Sequence, residues 1–566
     1  MTGAFQSPRG VAALAAFAMT AALAPLDGAA QYERTPSSAA YALQDVTLIH
    51  GDGTVSDGVT VVVRNGLVEA LGAGVEPPPD AEILEGEDLH VHPGFVDPYG
   101  AATMDLPQAD TDGAQPWAPS RELQRFTPRR TAQDHLDATG PDLATQRENG
   151  VVASAAFPGD GMMPGQGATL MHRVDAGEPR DLVVDSPIGV SMALQGAPGM
   201  YPTTTFGVVA HLRQAFLDAK HRAVAGEAFE ADPQGMAPPA RDADYEVLRQ
   251  MANGEMRTFV RADGAEGIRR ILSLSDELGL DPVLVGAEEA WRVADELAER
   301  DMPVVVSLDF PEPDEWDPEA GDGDLDPSAQ RERQELEDIY SNAGRLEDAG
   351  VRLAFTSGGS GSTDMRAGML KAVEYGLSED AALSGLTTEP ADLIGVPHLS
   401  QVAEGGGATF VVTHGDPFQE DSDIVFTFVE GQPERVAAPD EGLEETDEPP
   451  ADLAGTWSVE IRFGPQGDDG TLEIEQDGDR FTGTLEGAMG ESEIRDGQIA
   501  GDSFLFEVIP EGAPQGFSLE MQGEVDGDEL TASGEGPEGM GTVEVRGTRE
   551  PGAARTNSRL EEGGNR

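Results

Sequence analysis

The sequence predicts an α/β protein. Its expected parts are a (β/α)8, TIM-like barrel, a composite β-sandwich built from the segments on either side of the barrel, and a C-terminal all-β domain. Three observations carry this expectation. Across 94–398, short apolar runs alternate with stretches of helical spacing. Strand-like patterns flank that region at 41–93 and 399–436. Beyond a Pro- and acid-rich linker at 437–452, residues 453–550 alternate apolar and polar side chains between Gly-Asp-Gly turns.

In the N-terminal β region, Val46–Ile49 and Val59–Leu71 carry the strand pattern, and Asn65-Gly66 splits the second run. Asn-Gly accepts positive φ at both positions, which a tight hairpin turn requires. In the barrel region, Val151–Phe157, Thr258–Arg261, Pro282–Val285, Pro303–Ser307 and Val351–Thr356 read as strands. Ala265–Leu278, Ala287–Arg300 and Ala329–Ala349 read as helices between them. A parallel neighbour is reached only through a long crossover, so this order demands a parallel sheet. Roughly 300 residues suit one closed barrel. A doubly wound sheet is the competing arrangement, but no Gly-rich dinucleotide loop follows a first strand. Behind the barrel, Ala408–Thr413 and Asp423–Gly431 return to the β pattern, so the two flanks can share one sandwich. In the last domain, Trp457, Val459, Ile461 and Phe463 alternate with polar residues. Leu472 and Ile474, Phe504 and Phe506, and Val543 and Val545 do the same, which suits a small antiparallel barrel or sandwich. Residues 551–566 read as a disordered tail.

Charge dominates the composition of the 566 residues: 105 Asp and Glu stand against 36 Lys and Arg, for a formal net charge of −69. Lys occurs only at Lys220 and Lys371. Nucleic acid and anionic membranes need clustered positive charge, so both are excluded as partners. A carboxylate-coated surface is tolerated where salt screens it, and this composition matches proteins of extreme halophiles. Arg9 followed by the apolar run Val11–Leu23 reads as a signal peptide, 1–30, with small residues at Gly28–Ala30 before the cut. A retained anchor is the alternative, although the run is short for a span. With no Cys, the chain carries no lipoprotein anchor, disulfide or thiolate metal site. The expected location is periplasmic or secreted, with no integral membrane segment after cleavage.

Several stretches resemble a known family. VVVRNGLVEALGAG with LHVHPGFVDPYGA is similar to the N-terminal signature of the amidohydrolase superfamily. Ala382–Val396 resembles its late-barrel helix, and ATFVVTHGDPF (Ala408–Phe418) its returning sandwich strand. GVVASAAFPGDGMMPGQGATL resembles the imidazolonepropionase-like and dipeptidase-like exported members. The resemblance covers about 41–436 and implies a metal-dependent hydrolase of carbon–nitrogen bonds. Zinc is the family's usual cofactor; it lowers the pKa of a bound water and polarises the scissile carbonyl. The resemblance also implies where the ligands belong, and this chain departs at each place. The His-x-His pair after PGFVD corresponds to Tyr99 and Ala101. Arg261 stands at the end of one middle strand, and Val285 or Gly286 at the end of the next. Ser357 occupies the place of the Asp that serves as general base. No bridging Lys is evident. Ala, Val and Arg do not ligate zinc, so no metal site is expected here.

The remaining candidates are weaker. His90-Val91-His92 is a His-x-His pair, but it lies before PGFVD on the sandwich side of the junction. Asp322-Gly-Asp-Leu-Asp326 begins like a calcium loop and lacks its Gly and closing Glu. Ser357-Gly-Gly-Ser360-Gly-Ser362 reads as a flexible loop, with anion binding as the sharper alternative. No Gly-x-Ser-x-Gly elbow is present. If the barrel forms, Tyr99, Arg261 and Ser357 end strands on one face and converge. Arg261 with Asp263 then suits a ligand carboxylate, or simply satisfies a neighbouring acid. Two functions follow. One is an exported hydrolase of amide, cyclic amide or dipeptide-like bonds with an altered site. The other is an inactive barrel that binds a small amide or peptide-like ligand, or partners an active paralogue. A homo-oligomer is compatible with both.

Overall fold

The structure is a computed structural model that describes residues 40–549 apart from 85–87, 112, 138–141, 175, 312–326, 360–362, 420–421, 437–449, 452, 464–465, 479, 488–489, 511–518, 528 and 536–541. The expected signal peptide (1–30), residues 322–326, Ser360, Ser362, most of 437–452 and the expected tail (551–566) lie outside the described residues. No helix among those described is long and apolar enough to cross a membrane.

Both flanks of the barrel build one eight-stranded sheet. Its front half is β1 (Ala40–Ile49), β2 (Val55–Arg64), β3 (Leu67–Gly72), β4 (Ala81–Leu84) and β5 (Leu89–Pro93). The back half reaches it through the antiparallel pairing of Phe410–His414 with β5. Leu43, Val61, Val63 and Val91 from the front meet Phe410, Val412, Phe426 and Phe428 from the back in one core. The β2–β3 turn is the expected Asn65-Gly66, with φ of 55° and 79°.

The barrel begins with β6 (Phe95–Asp97), which pairs parallel to β7 (Val151–Ala156). The next stave runs backwards. β8 (Gly165–Gln166) and β9 (Ala168–Met171) are separated by Gly167 alone. β9 pairs antiparallel with β7, and β8 pairs antiparallel with the following barrel strand, Val190–Ala193. This departs from the all-parallel expectation. Only residues 157–164 lead from β7 to β8, and a parallel crossover needs about a dozen or more.

After β10 (Val183–Asp185), an edge strand on β9, the parallel order holds through β11 (Val190–Ala193), β12 (Thr258–Ala262), β13 (Pro282–Gly286), β14 (Val304–Ser307) and β15 (Leu353–Thr356). Phe259, Val283, Val285, Val305 and Ala354 point into the barrel core with Val96 and Tyr99. Leu284, Val304, Val306 and Phe355 face the surrounding helices.

The first helices are α1 (Asp142–Glu148), α2 (Thr205–Ala231) and α3 (Ala243–Ala252). Next comes α4 (Ala265–Leu278), which has the expected bounds. It buries Ile268, Ile271, Leu272 and Leu278 and stops at Gly279, whose φ of 79° suits a left-handed cap. Two expected helices are cut short. Of 287–300, only the 3-10 turn Ala290–Val293 and α5 (Ala294–Ala298) form, because Ala287 sits at φ 61°. The expected 329–349 splits into α6 (Pro327–Tyr340) and α7 (Asn342–Asp348). At the junction the Glu337 carbonyl accepts both the Ser341 amide at 3.0 Å and the Ser341 hydroxyl at 2.7 Å, a back-bonding pattern that bends helices. The helices α8 (Met365–Glu374), α9 (Glu379–Leu386) and α10 (Thr388–Leu393) complete the layer. The back half of the first sheet follows as β16 (Phe410–His414), β17 (Asp423–Val429) and β18 (Gln432–Arg435).

From β19 (Gly455–Phe463) to β26 (Thr542–Arg549), eight consecutive antiparallel strands form a closed barrel. Trp457, Val459, Ile461, Leu472, Ile474, Phe504, Phe506, Val543 and Val545 fill its core, as their alternation predicts. A barrel of eight strands is just wide enough for such side chains to fill.

Candidate functional site at the barrel mouth

The C-terminal ends of the parallel strands are where such barrels assemble a site. At that end, no backbone ladder joins β15 to β6 among the described strands, and Asp97 joins them by its side chain instead. The Thr356 hydroxyl donates to Asp97 Oδ1 at 2.6 Å. The Ser357 hydroxyl and amide donate to Oδ2 at 2.6 and 3.1 Å, and the Tyr99 amide donates to Oδ1 at 2.9 Å. Asp97 is 1% exposed. Burial pushes its carboxyl above the ordinary range, and the bonds from Ser357, Thr356 and Tyr99 pull against that.

Tyr99 fills the space inside this seam. Its ring stacks on Phe157 at 4.9 Å between centroids, and Phe157 packs on Phe259 at the same distance. Its hydroxyl shares a 2.8 Å hydrogen bond with Ser191 of β11. Burial raises the phenol pKa, and the bond to Ser191 and the Arg261 cation lower it. The Arg261 guanidinium lies 5.7 Å from the centre of the Tyr99 ring, a cation–π arrangement. Arg261 pairs with Asp160, on the loop between β7 and β8. Burial works against its charge, but Tyr99, Asp160 and Asp263 outweigh it and leave the guanidinium firmly protonated.

Asp263, Glu288 and Asp309 continue the rim. Burial raises the pKa of Asp263, and Arg261 opposes that shift. Glu288 is raised by burial and then by Asp263, Glu289 and Asp309. Asp263 folds over Gly286, where an added Cβ would meet its Oδ1 at 2.1 Å.

The predicted residues therefore meet as follows. Tyr99 and Arg261 are in direct contact. Ser357 reaches Tyr99 through Asp97 and is itself 2% exposed. Asp263 stands beside Arg261, whose carboxylate partner is Asp160. Sequence reasoning did not single out Asp97, Asp160, Phe157, Phe259 or Glu288. Asp97 ends the PGFVD segment, and Phe157 follows directly on an apolar strand; both positions mark a strand end. Nothing local in the sequence points to Asp160 as the partner of Arg261.

A zinc ion does not fit this set. Both Asp97 oxygens are taken by O–H and N–H donors, the Tyr99 hydroxyl is committed to Ser191, and a guanidinium covers the ring. Among the described residues, no group of three or more His, Asp or Glu is placed to hold a metal. His90 and His92 lie on β5. His92 is fully buried, and its Nδ1–H donates to the Pro93 carbonyl at 2.8 Å.

No protein-family model and no curated protein matches the sequence. Among solved structures, the chain is similar to an amidohydrolase from Thermotoga maritima MSB8, with a TM-score of 0.57 and 22% identity over 69% of this chain and 99% of that one. It also aligns with a Xaa-Pro dipeptidase with methionine bound in its active site, at TM-score 0.41 and 16% identity, over 70% of this chain and 100% of that one. An adenosine deaminase from Xanthomonas campestris with bound zinc aligns at TM-score 0.40 and 14% identity, over 71% and 94%.

Proposed function

We propose that this chain, which has the amidohydrolase fold, holds a small carboxylate-bearing amide or peptide-like ligand at the barrel mouth and performs no metal-assisted hydrolysis there. One observation carries the reading: Tyr99, locked to Ser191 and stacked on Phe157, fills the mouth beside an Asp97 whose oxygens are already bonded. In this reading Arg261 is the binding group. Its partner Asp160 has a side chain 61% exposed, so a ligand carboxylate displaces it at little cost. A planar guanidinium grips a carboxylate in two parallel bonds, and the Tyr99 ring beneath keeps the fork flat. Asp263, Glu288 and Asp309 lie on the same rim and suit the ammonium end of such a ligand.

The protein is exported in this reading, by the apolar segment that precedes Gln31, and its acidic coat is an adaptation to salt. The fold shared with the Thermotoga amidohydrolase favours the competing reading, hydrolysis of a carbon–nitrogen bond. Metal analysis of protein purified in molar salt separates the two, together with calorimetry against dipeptides and cyclic amides. The expected result is substoichiometric zinc, binding without turnover, and loss of that binding in Arg261→Gln. Stoichiometric zinc with turnover overturns the proposal.

A further inference from the structure

The helix α2 runs on past its own packed half. Its buried residues, Val208, Leu212, Ala215, Phe216 and Ala219, all fall before Lys220, and the helix then continues to Ala231. The return segment 232–242 and α3 face that second half, and between them lies a cavity of about 640 Å³. A volume of this size is ordinary for a small-molecule site. Residues 219, 222, 223, 226 and 229 of α2 line it, and at 100° per residue they fall within an arc of about 120°. On that face Ala219, Ala223 and Gly226 leave the space open. A Cβ added at Gly226 meets no atom within 4 Å, so no close approach of backbone demands a glycine there. Glycine inside a helix lowers its stability, and at this position what it preserves is room.

The polar groups of this cavity decide the ligand. The Tyr245 ring carries two guanidinium groups, Arg222 at 4.4 Å from its centroid and Arg121 at 5.1 Å. Arg121 is committed to Asp242, through bonds of 3.0 and 2.9 Å. Arg249 is likewise tied to Glu246 at 2.8 Å. Arg222 and Arg241 make no ion pair among the described residues, and Arg222 Nη1 donates only to the Ala240 carbonyl, at 3.3 Å. In a chain with 105 acids and 36 bases, two uncompensated guanidinium groups on one cavity run against the composition. Of the lining acids, Asp242 and Glu246 are already neutralised, and Glu230 lies on the exposed rim. Arg222 is half-buried over Tyr245, which holds its fork flat and partly dehydrated. Such a fork suits a carboxylate taken in two parallel bonds.

We propose that the cavity between α2 and α3 binds a small monocarboxylate with an apolar body. The carboxylate sits on Arg222, with Arg241 adding positive charge from the rim, and the hydrocarbon lies against Ala223, Gly226 and Phe229. Pro238 and Pro239 on the return segment stiffen the backbone there, so this wall is in place before the ligand arrives. The site shares no residue with the barrel mouth and does not depend on what that mouth binds.

The test is isothermal titration calorimetry of the full chain in 1 M KCl. The probes are 3-phenylpropionate and, as the two halves of its chemistry, 3-phenylpropanol and inorganic phosphate. Saturable binding of the carboxylate is expected, with the alcohol and the phosphate each at least about tenfold weaker. Arg222→Met keeps the apolar stem and is expected to weaken binding about thirtyfold or more. Gly226→Leu fills the cavity and abolishes this binding while the melting temperature rises, because Leu is the better helix former and its Cβ meets no obstruction. Gly226→Leu thus separates loss of the site from loss of the fold. No saturable binding of 3-phenylpropionate overturns the proposal. So does an alcohol or a phosphate that binds as tightly as the carboxylate, or a binding heat unchanged by Gly226→Leu.

Discussion

Asp97 ties the last barrel strand to the first, and its removal takes the acceptor from the Ser357 hydroxyl and from two amides in a buried seam, while the Thr356 hydroxyl keeps the Tyr99 carbonyl at 2.9 Å. Asp97→Ala is expected to cost about 3–5 kcal/mol, and Asp97→Asn about 2 kcal/mol, because the amide keeps one acceptor. Urea denaturation in molar NaCl reads both. His172 and His92 are buried neutral bases. The Val151 carbonyl accepts from His172 Nδ1–H at 2.9 Å, so Nε2 accepts from the Ser154 hydroxyl at 2.8 Å. Burial lowers the pKa to about 3 at His172 and about 4 at His92. The unfolded chain takes up protons at these groups below about pH 6.5, while the folded chain refuses them. Their contribution is therefore whole above that pH and lost as pH falls toward 4, at about 1.4 kcal/mol per unit for each group. His172→Gln is expected to flatten the stability profile between pH 6.5 and 4 relative to the parent. A profile that stays parallel contradicts this account. Arg261 over Tyr99 was legible at this scale, because same-parity residues at strand ends converge in a barrel. The Asp97 seam was not, since its partners lie 259 and 260 residues away.

Periodicity made most elements legible. The α4 helix carries both its amphipathic spacing and its Gly stop in the sequence, and the strands of the C-terminal barrel declare themselves by alternation. The reversed third stave was hidden because β8 is only the dipeptide Gly165–Gln166 and β9 is an apolar run like its neighbours; only the shortness of the connection from β7 betrays it. The interruptions at Ala287 and Ser341 were equally hidden, since neither residue type signals a positive φ or a break between helices. The β2–β3 hairpin is the clearest link from residue type to element. Both turn residues sit at positive φ, and a Cβ at Gly66 would approach the Glu430 carbonyl oxygen to 3.0 Å. Replacing Asn65-Gly66 by Ala-Ala is expected to cost about 2 kcal/mol, read as a fall of several degrees in melting temperature.

At the scale of the molecule, net charge sets the working conditions. Exposed Arg–carboxylate pairs such as Arg213–Glu277 and Arg300–Asp276 satisfy some of the acids, but 36 bases leave most of the 105 uncompensated. The chain is expected to melt at higher temperature as NaCl rises from 0.1 to 2 M, a trend opposite to that of a protein held by surface ion pairs. A melting temperature that falls with salt contradicts the habitat reading.

The sheet shared by both flanks has a kinetic consequence. Pro93 pairs with Phe410 across some three hundred residues of intervening chain. Closing a loop of that length costs roughly 5 kcal/mol of chain entropy, so the first five strands gain their partner only after the barrel has been made. During synthesis β1–β5 wait with a bare edge, and this sheet belongs among the slow, late events of folding. A chain truncated before β16 keeps that edge open, which makes it the species most prone to pair with other chains.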